Sequence, residues 1–343
     1  MKIPNKIFTV HIDVFYGLEF FQQSLHNIRN QTYSDLEIII SNNGALPEIQ
    51  DFIREQAQID SRIKVIHYQQ NIFDIKDPEL KTYIICNDAL NEAKGEFFYY
   101  QSYDDLMSLD YIEKMVKLFN EDEKCMSAAG LPISIYADNR VGEEELLNRT
   151  TNLRPRMIDG VELALDTIHD GNFFSAPGTI FSFRTNFLRE KGGFHRSVEF
   201  SQLYGMVPFG KTGFDETAIF YWRRGDHQLN KILTNNGYAG VKELYDLLED
   251  FDIFNRWLEF GQINAINVVN YCKRAVCHDA AQKFLINLAE LRFKAVIENL
   301  KIVSFKLYFW QSIPKVFWTA KKYFIFTLYQ SIKKIILFRG ENK

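Results

Sequence analysis

An α/β fold built on a mostly parallel sheet, followed by a helical C-terminal region, is what this sequence predicts. Two observations carry that expectation. Short apolar runs alternate with helix-period segments through the first hundred residues, and from Val241 to about Leu300 almost nothing breaks a helix. With 46% apolar residues in 343, the chain can bury a sizeable core.

Each element follows from local pattern. Residues 7–15, IFTVHIDVF, read as a strand. Leu18 to Gln31 read as a helix, with Phe21, Leu25 and Ile28 at i, i+4 and i+7. Residues 36–41, LEIIIS, form a continuous apolar run, as a strand covered on both faces should. A second helix is expected over about 47–58 and a third strand over 62–68. Glu79 to Lys94 follow as a longer helix, with Gly95 expected to close it in a left-handed conformation. EFFYYQ at 96–101 is the fourth strand. Strand and helix alternating at this spacing imply right-handed βαβ units and a parallel sheet. Beyond Gln101, Ser108 is expected to cap a helix whose apolar face is Ile112, Met115, Val116 and Phe119. Residues from about 125 to 235 mix glycines and turns.

Composition narrows the function classes. A formal net charge of −4 over this length argues against a general nucleic-acid binder. Cys86, Cys125, Cys272 and Cys277 make no CxxC pair, so they read as reduced packing residues of a cytoplasmic protein. Pro4, His11 and Asp13 interrupt the apolar character of the N-terminus, which does not read as a signal peptide. Asn148-Arg149-Thr150 fits a glycosylation sequon that carries no weight in that setting. The histidines, His11, His26, His195 and His227 among them, form no cluster in sequence and read as structural or surface residues.

In an open parallel sheet, ligands bind beyond the carboxyl ends of the strands. Two polar clusters fall at such ends: Ser41-Asn42-Asn43-Gly44 after the second strand, and Ser102-Tyr103-Asp104-Asp105 after the fourth. Adjacent carboxylates suit a hard divalent cation, because Mg²⁺ or Mn²⁺ takes one or two of them and fills its shell with phosphate oxygens. The competing reading is that Asp104 and Asp105 only open a turn.

Three stretches carry a family resemblance. TVHIDVFYGLEFFQQSLHNIRNQTYSDLEIIISNNGA is similar to the opening of family 2 glycosyltransferases with the GT-A fold. IICNDALNEAKGEFFYYQSYDDLMSLDYIEKM resembles that family's segment around its acidic DXD-type motif. FFSAPGTIFSFRTNFLREKGGF resembles its later strand and GGF turn. The resemblance covers roughly residues 5 to 225. The chain departs from the pattern at Asp13 in the first strand and Tyr16 after it, at Asn42-Asn43 after the second strand, and at Ser102 in place of the first acid of the motif.

The resemblance implies an inverting, metal-dependent transferase. Its sugar comes from a nucleotide-diphosphate donor, a UDP-sugar first among them, and goes to a hydroxyl of a glycan or lipid-linked glycan acceptor in surface polysaccharide synthesis. For the metal, Mn²⁺ or Mg²⁺, it implies Asp105 as direct ligand, with Asp104 on the ribose or on a metal-bound water. For the nucleotide it implies Asp13, Phe15, Asn42, Asn43, Asn87, Tyr103 and Asp104. For the base that deprotonates the acceptor it implies Glu216, then Asp215, just ahead of a helix-like TAIFYWRR, with Glu199 behind the GGF turn as the third choice. A catalytically inactive nucleotide-sugar-binding module on the same fold is the alternative.

Two other nucleotide folds compete. Gly205 to Thr212 fits the phosphate-loop expression GxxxxGK[ST], but Met206, Val207, Pro208 and Phe209 are bulky and Pro208 lacks an N–H donor. No GxGxxG follows the first strand, as a dinucleotide fold would require.

The domains expected are a transferase domain over 1–235, a helical region over 236–300 and a tail over 301–343. Within the first, 1–105 would bind the nucleotide and 106–235 the acceptor. From Asn299 to Gly340 there are eight Lys or Arg and no Asp or Glu, among many aromatic residues, with Pro314 dividing the tail into two helices. Phe317, Ala320, Phe324, Leu328 and Ile335 share one helical face, and Lys315, Lys322 and Lys333 gather on another. A basic face beside an aromatic one suits an anionic membrane surface and a peripheral location on the inner face of the cell membrane. No charge-free run in it is long enough to span a bilayer. Packing on the protein, including a homodimer interface, is the competing use.

Overall fold

The structure is a computed structural model. It describes residues 6–72, 78–141, 156–160, 163, 180–194 and 206–225; beyond these it describes residues 262, 277, 281, 284–303, 310–314, 316–318, 321, 324–325 and 327–332. The chain divides into two compact units, Met1–Leu165 with Phe174–Gly225, and Asp166–Phe173 with Asp226–Lys343.

The first unit is organised on a nine-stranded sheet. Its first half alternates as the sequence pattern requires: β1 (Phe8–Val14), α1 (Leu18–Arg29), β2 (Leu36–Asn43), α2 (Pro47–Ile59), β3 (Ile63–Tyr68), α3 (Pro78–Glu92) and β4 (Phe97–Ser102). β1 pairs in parallel with β2 and β4, and β2 with β3. β1, β2 and β4 are buried along nearly their whole lengths; the Ile38–Ile40 run of β2 and the Phe97–Tyr100 run of β4 fit that burial, while β1 also buries Thr9 and His11 between its apolar residues. Helix α1 puts Phe21, Leu25 and Ile28 into the core, and α2 starts on Pro47, a residue suited to a first turn that has no N–H partner.

The second half is antiparallel in part. After β5 (Leu106–Met107) and α4 (Tyr111–Glu121) come β6 (Cys125–Ile135), β7 (Met157–Asp159), β8 (Phe181–Arg184), α5 (Thr185–Glu190) and β9 (Lys211–Arg223). The strand order is β3-β2-β1-β4-β8-β6-β9-β5, with β7 also paired to β9. β8 runs antiparallel to both β4 and β6, and β9 runs parallel to β6. The carboxyl ends of β1, β2, β4, β6 and β9 therefore share one edge. Phe97 of β4 stacks on Phe119 of α4 with ring centroids 4.4 Å apart, joining the two halves in one core.

Three local expectations change. Gly95 is not left-handed; it is required because a Cβ there would stand 2.5 Å from Thr9 Oγ1 and 2.8 Å from the Ile7 carbonyl oxygen. Ser108 is not the cap of α4, which begins after Asp110; its hydroxyl instead accepts the Ile219 N–H, tying the start of α4 to β9. Residues 217–223 are not a helix. They are the second half of β9, paired with β6 through Ile135↔Arg223.

In the second unit the described residues are helical apart from a turn at 290–292, and they include α6 (Phe293–Val303). The described residues on either side of Pro314 are also helical. Ala320, Ile335, Lys315, Lys322 and Lys333 lie outside the described residues, as do His195, His227, Cys272, Glu199 and the Asn148 sequon.

Candidate active site at the carboxyl edge of the sheet

Chain order puts β2 and β3 on one side of β1 and β4 on the other, so the crevice between β1 and β4 is the switch point of the sheet. Asp13 of β1 is the register partner of Ser102 of β4 there. The acidic pair follows at once.

The turn that presents the pair is fixed from several directions. Asp105 N–H donates to the Ser102 carbonyl, and Gln101 Nε2 donates to the Asp105 carbonyl at 2.9 Å and to Ser24 Oγ at 2.8 Å. Ser102 Oγ donates to Asp104 Oδ1 at 2.6 Å. The residue that replaces an acid of the family pattern thus acts as a donor to the acid that remains. That lowers the negative charge the turn must carry.

Beneath the pair lies Arg223, which is fully buried at the carboxyl end of β9. Its main-chain N–H donates to Asp105 Oδ1 at 2.8 Å, and its Nε donates to the Asp104 carbonyl at 2.7 Å. Its Nη1 reaches the carbonyls of Tyr136 and Ala137 and Asn139 Oδ1, and its Nη2 reaches Gln23 Oε1. The guanidinium also lies over the Phe20 ring, 4.7 Å from its centroid. Burial lowers its pKa, while the charges of Asp104, Asp105 and Glu19 act the other way. A buried guanidinium needs such a set of acceptors to offset its lost hydration.

Opposite the pair, Asp13 Oδ1 accepts the Tyr100 hydroxyl at 2.8 Å. Lost hydration pushes the Asp13 carboxyl above its ordinary range; the Tyr100 hydroxyl and its own backbone N–H oppose this, and the Asp104 charge adds to it. Phe15, Tyr16 and Tyr103 form an aromatic run beside these acids, with ring centroids 4.3 Å apart for Phe15–Tyr16 and 5.1 Å for Tyr16–Tyr103. Such a surface can stack a nucleobase.

Asp104 and Asp105 fit a hard divalent cation by donor type. They are adjacent carboxylates on a fixed turn, and Mg²⁺ or Mn²⁺ needs no more than two when phosphate oxygens complete the shell. Among the described residues no group of three or more His, Cys, Asp or Glu could hold a metal on its own. The pair is also closely covered, with 7% of Asp104 and 2% of Asp105 exposed.

The other candidates are placed less directly. Asn42 Oδ1 accepts the Ala45 N–H, and its Nδ2 meets His67 Nδ1; Asn43 Oδ1 accepts the Ile72 N–H. Both side chains shape the turn after β2, where Gly44 has φ 60°. Asn87, on α3, donates to the Phe194 carbonyl and accepts the Phe194 N–H, each at 2.7 Å, so it pins the GGF turn.

Asp215 and Glu216 are not brought to this edge. Asp215 pairs with Gly130 of β6 while Arg223 pairs with Ile135, five residues on, which is about 16 Å along the strand. Asp215 accepts Arg156 Nη1 at 3.0 Å and the Thr217 N–H and hydroxyl at 3.0 and 2.6 Å. Burial alone would raise the Asp215 carboxyl, but the Thr217 and Arg156 partners hold it below the ordinary value. Glu216 is exposed.

The phosphate-loop reading also fails. Residues 207–209 form a 3₁₀ turn followed by strand β9, where a phosphate loop needs a helix N-terminus. Lys211 Nζ is bound to Asp122 at 2.7 Å, and the buried Thr212 hydroxyl meets Ser127 Oγ at 2.7 Å. Arg223 is the residue that sequence reasoning missed: an Arg-Arg pair after an apolar run gives no local sign of burial.

Comparison with known proteins agrees with this geometry. Residues 9–175 match the family described as glycosyl transferase family 2. A protein of Bacillus subtilis named as a glycosyltransferase, EpsH, is 31% identical over 111 residues, which is 32% of this chain and 30% of EpsH. An uncharacterized glycosyltransferase of Haemophilus influenzae is 26% identical over 134 residues, 39% of each chain. These matches span well under half of either relative. Among solved structures, the mannosyltransferase PcManGT from Pyrobaculum calidifontis, in complex with GDP-Man and Mn²⁺, superposes with a TM-score of 0.52 at 13% identity. That superposition covers 96% of this chain and 88% of PcManGT, and at such identity it is a likeness of fold. The switch-point acids, the GT-A arrangement of the sheet and the match over residues 9–175 agree, and they place a glycosyl transferase family 2 match on just under half of this chain.

Proposed function

We propose that this protein moves a sugar from a nucleoside-diphosphate donor, a UDP-sugar first among the candidates, to a hydroxyl of a glycan or lipid-linked glycan, with inversion at the anomeric carbon. The observation that carries the reading is the Asp104–Asp105 pair at the switch point, fixed from below by Arg223 and faced by Asp13. EpsH, by its name, and PcManGT, by its bound GDP-Man and Mn²⁺, support the reaction class and the use of a divalent ion.

In this reading Phe15 and Tyr103 flank the base, and Asp13 and Asp104 orient the ribose. Asn42 and Asn43 build the turn that borders the same crevice. Asp105, with Asp104, holds Mn²⁺ or Mg²⁺, and a cation bound there neutralises charge on the departing diphosphate. The Arg223 N–H fixes the rotation of the Asp105 carboxylate before any ligand arrives, so that order is built into the fold.

The acceptor hydroxyl needs a carboxylate base within hydrogen-bond reach. Glu216, Asp215 and Glu199 are the candidates for that role; the mid-strand position of the first two speaks for Glu199, which lies five residues beyond Phe194 of the GGF turn and outside the described residues. Surface polysaccharide synthesis at the inner face of the cell membrane is the setting proposed. Thermal stabilisation by a panel of nucleoside diphosphates, with and without Mn²⁺, tests the donor reading. Stabilisation that needs both the nucleotide and the ion supports it, and none with any nucleotide contradicts it.

A further inference from the structure

Among the described residues of the C-terminal segment, the large apolar side chains of Trp310, Phe317, Trp318, Ile325, Tyr329 and Ile332 are open to solvent. Four of them make a single stripe. Trp318, Ile325, Tyr329 and Ile332 follow at i, i+7, i+11 and i+14, within an arc of about 60° on a helix. Their exposures are 70, 59, 60 and 44%, while Val316, on the opposite side of the same wheel, is 5% exposed. The open stripe is not the face that sequence patterning singled out. Phe317 and Phe324 meet edge to face, 5.3 Å apart, and Phe324 and Leu328 are half-buried. That row lies about 90° around the helix from the open stripe.

Charge decides what covers the stripe. The surrounding sequence from Asn299 to Gly340 carries eight Lys or Arg and no Asp or Glu. A second copy of the chain would bring the same positive charge against it. A nucleic acid would satisfy the charge but offers no apolar medium for Ile325 and Ile332. An anionic lipid surface meets both demands. The side chains suit the interface: Trp and Tyr favour the headgroup level, and Lys321 Nζ stands 3.7 Å from the Trp318 ring centroid, placing a cation beside the aromatic anchor. Among the described residues no helix is long and apolar enough to cross a membrane, so the stripe would lie in the interfacial plane.

We infer that the Trp318–Ile325–Tyr329–Ile332 stripe inserts into the interface of an anionic bilayer. This deepens the membrane-surface part of the proposed function and is independent of the transfer chemistry.

The test is co-sedimentation of the full chain with phosphatidylglycerol or phosphatidylcholine vesicles, beside the quadruple variant Trp318→Ser, Ile325→Ser, Tyr329→Ser, Ile332→Ser. The wild type is expected to bind the anionic vesicles at least about tenfold more strongly, with salt weakening the binding. The variant is expected to lose about tenfold or more of that affinity at an unchanged Tm. Should the variant melt early, Trp318→Ser and Ile325→Ser singly take its place, each expected to weaken binding about threefold. Undiminished binding by a folded variant would overturn the stripe as the inserting face. Wild type with no preference for anionic vesicles would overturn the membrane reading itself. Self-association in solution that the substitutions abolish would overturn it in favour of a second copy.

Discussion

The main-chain N–H of Arg223 donates to Asp105 Oδ1 at 2.8 Å, joining the last residue of β9 to the second acid of the candidate metal site. The same residue's Nε holds the Asp104 carbonyl at 2.7 Å. One arginine thus fixes both acids without occupying the crevice in front of them.

Arg223→Met should therefore damage both stability and the site. It strips donors from the carbonyls of Asp104, Tyr136 and Ala137, and each buried acceptor left unsatisfied costs about 1–3 kcal/mol. A loss of at least about 3 kcal/mol, or roughly 6–12 °C in Tm for a unit of this size, is expected in a thermal melt. Arg223→Lys keeps the charge but loses the planar fork. It is expected to raise the Mn²⁺ concentration for half-maximal nucleotide binding by about tenfold. An unchanged Mn²⁺ requirement in a folded Arg223→Lys protein would remove Arg223 from the site.

Placement along β9 separates the base candidates. Glu199→Gln is expected to lower kcat by at least about a hundredfold while leaving donor affinity unchanged, because a base acts on the acceptor. Glu216→Gln is expected to stay within a few-fold of wild type. Asp215→Asn should mainly lower stability, since it loosens the Arg156 and Thr217 contacts. Steady-state transfer assays decide between these residues, and a collapse of kcat in Glu216→Gln alone would restore the first candidate.

His11 gives the protein an acid-sensitive core. It is wholly buried on β1, stacked on Tyr100 with centroids 5.3 Å apart, and its Nε2 lies 3.0 Å from Ser41 Oγ. Burial lowers its pKa from 6.5 to about 3. Below pH 6.5 the unfolded chain takes up a proton that the folded chain refuses, so stability is complete above that pH and falls as pH drops toward 3. The loss attributable to His11 should reach about 2 kcal/mol by pH 5. Asp60, held by Arg62 and Arg29 at a pKa of about 2, begins to matter only below its ordinary value of 3.8. Denaturant melts of wild type and His11→Gln between pH 5 and 7.5 should differ in slope, with the variant the flatter. Parallel curves would mean that His11 takes up its proton in the folded state.

Much of this was legible from pattern. The four parallel strands and the helices between them follow from apolar runs and their punctuation, and the acidic pair was placed by its position after the fourth strand. What pattern missed depended on tertiary pairing. TAIFYWRR is short and apolar, a case in which helix and strand are not separated by periodicity; its pairing with β6 makes it a strand. That one change moves Asp215 and Glu216 away from the edge and brings Arg223 to it. The Ser108 hydroxyl reads as a cap and instead accepts the distant Ile219 N–H, while Asn87, expected at the nucleotide by resemblance, also holds the distant Phe194 backbone. In the tail, composition indicated a basic aromatic helix, but burial decides which of its apolar rows stays open.

The most direct measurement of the central claim is UDP binding by calorimetry, with and without Mn²⁺, to wild type and Asp105→Ala. UDP alone should bind wild type weakly, and Mn²⁺ should strengthen it about tenfold or more, since a cation held by the carboxylates would offset the charge of the diphosphate. In Asp105→Ala that enhancement should vanish while the metal-free affinity and the fold remain. Equal Mn²⁺ enhancement in the variant would contradict the assignment of the Asp104–Asp105 turn as the place where donor and metal meet.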